Sequence, residues 1–394
     1  MLSQKIASNL SHSSWIRAMF EEGTKLRKIY GADKVYDFSL GNPDPEPPEG
    51  VKSALKRLVL EDKPKMHCYM PNAGFPFVRE KIANKLSKET GLPFSQEHII
   101  MTCGAGGALN VVLKSILNPG EEVIVFSPFF VEYLSYIDNH NGKGVIVPVD
   151  KSTFLPDLNA LETAITKTTK AIIINSPNNP TGVIYNKEIL NDIEEILKRK
   201  EKEFNTTILV ISDEPYSKLV YDNIKLPSVF QTFRNSIVVD SFSKSASIPG
   251  ERIGYIAAHP NIKNISLLIN GMIYSNRVLG FVNAPALFQR VVAESLDAVV
   301  DVNIYQERRD LLYNSLVNMG YECVKPQGAF YLFPKAFIDD DIEFKNRALK
   351  YNLLIVPGSG FYFPGYFRLS YCVDINTIKN SLPAFELLAK EFLK

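Results

Sequence analysis

The stretch SIVVDSFSKSASIPGERIGY, Ser236 to Tyr255, decides how the rest of the chain is read. It begins as a short β-branched apolar run and breaks into two serines, a lysine and, eight residues beyond that lysine, an arginine. An apolar run without polar alternation is what a strand covered on both faces requires, because neither face meets water. EEVIVFSP (121–128), KAIIINSP (170–177) and TILVISDE (207–214) have the same character. Between the last two, NKEILNDIEEILKRKEKE (186–203) sets Ile189, Leu190, Ile193, Ile196 and Leu197 at helical spacing with charges filling the other face, the pattern of a helix laid on a sheet. The fold class is α/β, a mostly parallel sheet covered by helices. Ligands of such sheets lie beyond the carboxyl ends of the strands, so the residues after each run are the candidates for chemistry.

Those residues are unusual as a set. HIIMTC (98–103) runs into GAGGALNVVLKSIL, a glycine turn opening a helix, which suits a phosphate but is explained as well by close strand–helix packing. EEVIVFSP is followed by Phe129 and Phe130, either core or a face for a flat ring. KAIIINSP leads into NNPTG, where Asn179 either shapes a turn or offers its amide to a ligand. TILVISDE ends on Asp213, with Tyr216 close behind; the carboxylate either caps the next helix or holds a ring nitrogen protonated at the edge of an apolar core. In the opening stretch, Ser241, Ser243 and Arg252 together suit a phosphate, and the Lys244 amine is placed to reach an aldehyde on the same molecule.

The rest of the chain sets bounds. At 394 residues it exceeds one typical domain of ~150 and suggests two units. A formal net charge of +1 offers no basic field for nucleic acid. Cys68, Cys103, Cys323 and Cys372 are scattered without CxxC spacing, so neither a zinc site nor a disulfide framework is implied, and reduced thiols of a cytoplasmic protein fit. The opening MLSQKIASNLSHSS lacks the apolar core of a signal peptide, and no run approaches the ~18 apolar residues of a membrane span. The last part reads as a helix, QERRDLLYNSLVNMG (306–320), then strand-like YECVKP (321–326), GAFYLFP (328–334), NLLIVPG (352–358) and YFRLSYC (366–372), and a closing amphipathic helix through Phe385, Leu388 and Phe392. This predicts a smaller α+β domain from both chain ends, residues 1–45 and 291–394, around a larger domain, 46–290, with GNPDPEPPEG (41–50) as the link.

Taken in order, GNPD, YMPNAGFPFVREKIA (69–83), SPFF, NPTG, DEPY, SFSKSASIPGERIGY and FRLSY resemble the class I and II aminotransferases of fold type I, over nearly the full chain. The resemblance implies a seven-stranded, mostly parallel sheet, pyridoxal 5′-phosphate as cofactor, and amino-group transfer from an L-α-amino acid to a 2-oxo acid, with 2-oxoglutarate the expected acceptor, by a ping-pong cycle. It implies that Lys244 forms the internal aldimine and shuttles the substrate proton, that Asp213 pairs with the pyridinium nitrogen, and that Asn179 and Tyr216 bind the cofactor's phenolic oxygen. Phe130 takes the ring-stacking position. The phosphate falls to the Ala105 and Gly106 backbone, Ser241, Ser243 and Arg252, with Tyr69 reaching it from a neighbouring subunit of a homodimer that shares its active sites. Arg368 grips the substrate α-carboxylate, and Gly41 lies beside it. No metal is implied.

The sequence departs from the family in the phosphate loop, where Gly106 and Gly107 stand in place of a polar or charged residue and Gln; the lysine that recognises a second carboxylate in some prokaryotic aspartate aminotransferases is absent. Trp15 and Ile16 stand where a small polar pair would touch the side chain, leaving room for a bulkier or apolar donor, while Arg17 and Arg277 remain as cations for a dicarboxylate. Two other classes share the fold: a β-lyase of the cystathionine β-lyase-like type, and a non-catalytic cofactor-binding regulator. The FRLSY arginine favours transfer over elimination. The intact Lys244 and Asp213, and the short segment before DFSLGNP, weigh against the regulator.

Overall fold

Strand formation follows the apolar runs. In the computed structural model, which describes residues 2–11 and 15–393 and omits the side chains of 8–11, 15–18 and 20, twelve strands form three sheets. Trp15, Ile16 and Arg17, weighed above for side-chain contacts, therefore lie outside the described residues at the side-chain level. The strands in chain order are β1 Tyr36–Asp37, β2 Ile99–Thr102, β3 Glu122–Phe126, β4 Lys143–Val147, β5 Thr169–Asn175, β6 Leu209–Asp213, β7 Ser236–Ser241, β8 Gly254–Ala258, β9 Tyr331–Leu332, β10 Leu353–Leu354, β11 Val356–Pro357 and β12 Phe367–Ser370.

The large sheet has seven strands in the order β2-β8-β7-β6-β5-β3-β4. β4, β3, β5, β6 and β7 run parallel, and β8 is antiparallel to both β7 and β2. β3 and β6 are buried at every position, as strands covered on both faces must be, whereas the edge strand β4 is largely exposed. The helix Lys187–Phe204 covers the sheet with Ile189, Leu190, Ile193, Ile196 and Leu197 buried, as its spacing predicts. Asn186 caps its start by accepting from the Ile189 amide at 2.9 Å, and Asn205 ends it in the left-handed conformation.

The two ends of the chain meet away from this sheet. β1 pairs in parallel with β10, and β11-β12-β9 form an antiparallel sheet. Phe38, Tyr305, Leu312, Phe330, Phe344 and Phe385 share one core cluster there. The helices Val302–Asn318 and Ile375–Lys390 occur as read, with Phe392 just past the end of the second.

YECVKP is the exception: residues 321–326 form no strand. Pro326 has no N–H to give a ladder, and its carbonyl is taken by the Arg309 guanidinium at 2.9 Å. The amides of Gln327 and Gly328 both go to the carbonyl of Gly182. Within 321–326 the Tyr321 amide goes back to Leu316, the Glu322 carbonyl accepts from the Lys335 amide and that of Pro326 from a buried arginine, and apolar content alone did not distinguish this from strand pairing.

Candidate active site

The carboxyl ends of β5, β6 and β7 lie side by side, with Asn175 opposite Asp213 and Asp213 opposite Val239. Side chains alternate along a strand, so Asp213 and Ser241 face one side while Ser212 and Asp240 face the other. On the first side opens a cavity of about 710 Å³. Of the residues that the sequence singled out, Gly41, Ala105, Gly106, Phe130, Asn179, Asp213, Tyr216, Ser241, Ser243, Lys244, Arg252 and Arg368 all line it. Tyr69 does not; it stands 91% exposed on a loop of the same chain. Arg277 is also outside, exposed beside the Tyr274 ring.

Lys244 lies on the helical turn Phe242–Ser245 directly after β7, and its Nζ donates to the Gly41 carbonyl at 2.6 Å. Burial pulls its pKa down to about 8; the neighbouring Cys372 opposes that shift, and the Arg368 and Arg252 charges reinforce it. The loop linking the chain ends is thus part of the site. Gly41 lets the Tyr331 hydroxyl approach closely: a Cβ there would fall 2.1 Å from Tyr331 Oη, so a side chain at this position would require Tyr331 to move.

Asp213 is buried, and burial lifts its carboxyl to about 7, partly offset by the Tyr133 hydroxyl and reinforced by Asp240. Tyr133 Oη donates to Asp213 Oδ2 at 2.5 Å, and Asp213 Oδ1 has no partner. Tyr216 and Tyr331 share a hydrogen bond between hydroxyls at 2.9 Å. Arg368, 1% exposed, donates from Nη1 to Asn179 Oδ1 at 3.1 Å and from Nη2 to the Ser39 carbonyl at 2.5 Å, while its Nε is unpartnered. Its guanidinium lies 4.6 Å from the Tyr331 ring centroid and 4.9 Å from that of Phe361. With Asn179 Oδ1 so engaged, the amide nitrogen is the end left to donate.

The glycine turn serves close approach and helix start together. The helix Gly104–Ile116 opens with Gly104 at φ +72°, where a Cβ would meet Arg252 Nη2 at 2.9 Å. Arg252 itself is held at φ +49°, which sets its guanidinium against this turn. A Cβ on Gly254 would fall 2.5 Å from the Asp240 carbonyl oxygen and 3.0 Å from the Gly104 backbone. Of the two phenylalanines after β3, Phe129 is core, stacked on Tyr362, and Phe130 faces the cavity, edge-on to Tyr133.

Sequence reasoning missed Tyr133, Glu132, Tyr136 and Tyr331. The first three sit on the helix Glu132–Asn139 that follows Phe130, and EYLSY placed just beyond a strand end was a usable signal. Tyr331 arrives from the distant β9, and nothing local marked it.

The sequence profile of the family described as aminotransferase class I and II matches residues 33–385, and the chain belongs to that family. Its members use pyridoxal 5′-phosphate, and this protein is an aminotransferase of that kind; the lyase and regulator readings fall behind. The chain is 37% identical over 384 residues to a probable aspartate/prephenate aminotransferase of Aquifex aeolicus, covering 94% of each protein. It is 35% identical over 367 residues to a probable aspartate aminotransferase of Methanocaldococcus jannaschii, covering 91% of this chain and 94% of the relative. The crystal structure of an aminotransferase from Eubacterium rectale superposes with a TM-score of 0.97 at 39% identity, covering both chains completely.

Proposed function

We propose that the cavity holds pyridoxal 5′-phosphate against Asp213 and Lys244 and transfers an amino group from an L-α-amino acid bound by Arg368 to a 2-oxo acid. The observation that carries this is the unpartnered Asp213 Oδ1, a buried acceptor in a cavity that also contains a depressed lysine amine. A buried acceptor without a donor is costly, and a protonated ring nitrogen satisfies it. The donor set at the other end fits a phosphate dianion: the first amides of the Gly104–Ile116 helix, Ser241, Ser243 and Arg252.

The bound cofactor supplies an aldehyde for the lysine amine and a ring that stores the electron pair released at the substrate Cα. The chain's own residues do the rest. Asp213, near its protonation midpoint when unliganded, would hold the ring nitrogen and, with that cationic partner, be kept as the anion. Asn179 and Tyr216 donate to the phenolic oxygen, and Phe130 covers the ring. Arg368 and the Gly41 backbone hold the α-carboxylate, so that Lys244 Nζ takes and returns the Cα proton. Because that amine loses its proton near pH 8 rather than above 10, it acts as a base close to neutrality.

The same reading makes the protein a homodimer in which Tyr69 completes the partner's phosphate site; its 91% exposure in the single chain supports this. It takes 2-oxoglutarate as acceptor and places the enzyme in cytoplasmic amino-acid metabolism. No helix among the described residues is long and apolar enough to cross a membrane. The domain division at 45/46 and 290/291 belongs to it as well; the β1–β10 pairing and the Asp44–Arg308 ion pair at 2.7 Å tie the first cut's link to the C-terminal unit, while the second cut falls inside the helix Ala286–Glu294, whose Val291 and Val292 pack with Ile82, Met101 and Val238.

Borohydride reduction of the cofactor-loaded protein followed by peptide mass analysis tests the assignment. Modification on the peptide carrying Lys244, lost in Lys244→Ala, is expected; a stable adduct on another lysine would overturn it.

A further inference from the structure

One carboxylate in the cavity has no place in the roles above. Glu132, the first residue of the helix Glu132–Asn139, lines the cavity, and its Oε2 is buried without a hydrogen-bond partner. Tyr136 lies one turn further along the same helix face, and its hydroxyl is the group a Cβ on Gly106 would meet at 3.1 Å. On the other side, Glu132 is close enough to Arg368 and Tyr331 for its charge to act on both. The carboxylate therefore sits between the phosphate-loop end and the α-carboxylate end, where a donor's side chain extends.

Cations are scarce at that spot. Among the described residues, the cavity is lined by Lys244, Arg252 and Arg368 as its basic groups, and each is directed elsewhere: Lys244 to Gly41, Arg252 to the Gly104 turn, Arg368 to Ser39 and Asn179. Gly106 brings no side chain. Among the described residues of one subunit, no guanidinium is directed at Glu132 to balance a substrate's second carboxylate there. A side chain ending in an amide, hydroxyl or ammonium group would instead give Oε2 the donor that it lacks. Burial raises the Glu132 pKa, with a hydrogen bond from its own backbone amide and then the Arg368 charge opposing.

We propose that Glu132 is a specificity residue of the transamination site, accepting a hydrogen bond from the side chain of a polar, non-acidic amino acid and selecting against donors and acceptors with a second carboxylate. This rests on the proposed function and narrows it: a dicarboxylic oxo acid such as 2-oxoglutarate is used at a higher KM than a neutral one of similar size.

The cofactor-loaded wild-type protein gives the first test, by titration calorimetry with succinate and its monoamide succinamate, which differ only in the second carboxylate. Tighter binding of succinamate is expected; the reverse order overturns the inference. In Glu132→Gln, which keeps the shape and removes the charge, the affinity for succinate relative to succinamate rises about tenfold or more, since a like-charge contact in a partly buried site costs at least that factor. The ratio of kcat/KM for aspartate to that for asparagine moves in the same direction. Ratios unchanged within about twofold would mean that the protein itself satisfies the carboxylate, and the inference falls. Should Glu132→Gln not load cofactor, Glu132→Ala carries the same expectation. Transfer from any amino acid with no shift in these ratios sinks only the Glu132 assignment; release of no oxo acid from any donor sinks the proposed function itself.

Discussion

Tyr133 Oη sits 2.5 Å from Asp213 Oδ2, and the other oxygen of that carboxylate, on a residue that lines the cavity, is buried without a partner. One oxygen is anchored by the protein, and the other is left for a ligand. In the proposed reading Tyr133, fully buried, would fix the direction from which Asp213 meets a ring nitrogen. Removing the hydroxyl in Tyr133→Phe loses a hydrogen bond to an ionised group, about 1.5–3 kcal/mol, so kcat/KM falls by roughly 10- to 100-fold. The Lys244-bound cofactor band also shifts its pH dependence, because the Tyr133 bond holds the Asp213 carboxyl lower than burial alone would. Steady-state kinetics with spectral titration check this; unchanged values for both would remove Tyr133 from the site's support.

Arg368 is buried, stacked between Tyr331 and Phe361, and linked to Asn179. Its fork is oriented before substrate arrives. Arg368→Lys keeps a charge but loses the planar pair of donors, and Arg368→Ala loses both. The expected loss in kcat/KM for amino acids is at least ~30-fold for alanine, following the ~2–5 kcal/mol typical of a truncated, desolvated charge contact. Cofactor retention on gel filtration should hold. Loss of cofactor with unaltered substrate affinity would reassign the residue.

The Lys244 pKa near 8 has a kinetic consequence. Only the neutral amine adds to an aldehyde, so the rate at which apoprotein captures cofactor should rise about tenfold per pH unit below ~8 and level off above it. The sign follows from the direction of the shift: burial disfavours the cation, so the reactive form is reached at lower pH than for an exposed lysine. Stopped-flow mixing across this range checks it. A rise still continuing at pH ~10 would show an ordinary, solvated lysine.

Gly254 is fixed by backbone on both sides, the Asp240 carbonyl and the Gly104 turn. Neither neighbour can rotate away. Gly254→Ala therefore pushes β8 from β7 and from the phosphate end, costing about 1–3 kcal/mol of stability and weakening cofactor binding together. Thermal melts with and without cofactor test this; a variant as stable as wild type in both would show that the turn can yield.

Tyr69 is predicted to act across subunits. Tyr69→Phe should leave the chain's own stability unchanged but let cofactor dissociate several-fold faster, and the wild-type protein should sediment as a dimer. A monomer that retains cofactor normally would remove the shared site.

The sheet and most of the cavity were legible because strands buried on both faces must be continuously apolar, which makes their ends visible as abrupt changes to Asn, Asp, Ser and Lys. Asp213, Lys244 and Asn179 are read directly at such changes. Which side chain turns inward was legible through the family resemblance alone: Phe129 and Phe130 look alike in composition and spacing, and Phe129 is core while Phe130 lines the cavity. Tyr331 arrives from an element far away in the chain, which no local pattern encodes, whereas Glu132 stands in EYLSY just beyond a strand end and could have been read there. YECVKP failed for the opposite reason, since its apolar content suits a strand while Pro326 and the Arg309 contact prevent one.

The most direct test of the account is a single half-reaction. Protein carrying cofactor on Lys244 is mixed with an amino acid in the absence of any oxo acid, and the released oxo acid and ammonia are counted. The account predicts one equivalent of oxo acid per subunit, no ammonia, and return of the original absorbance only when a 2-oxo acid is added. Continuous release of oxo acid and ammonia without an acceptor would contradict it and identify the site as that of a lyase.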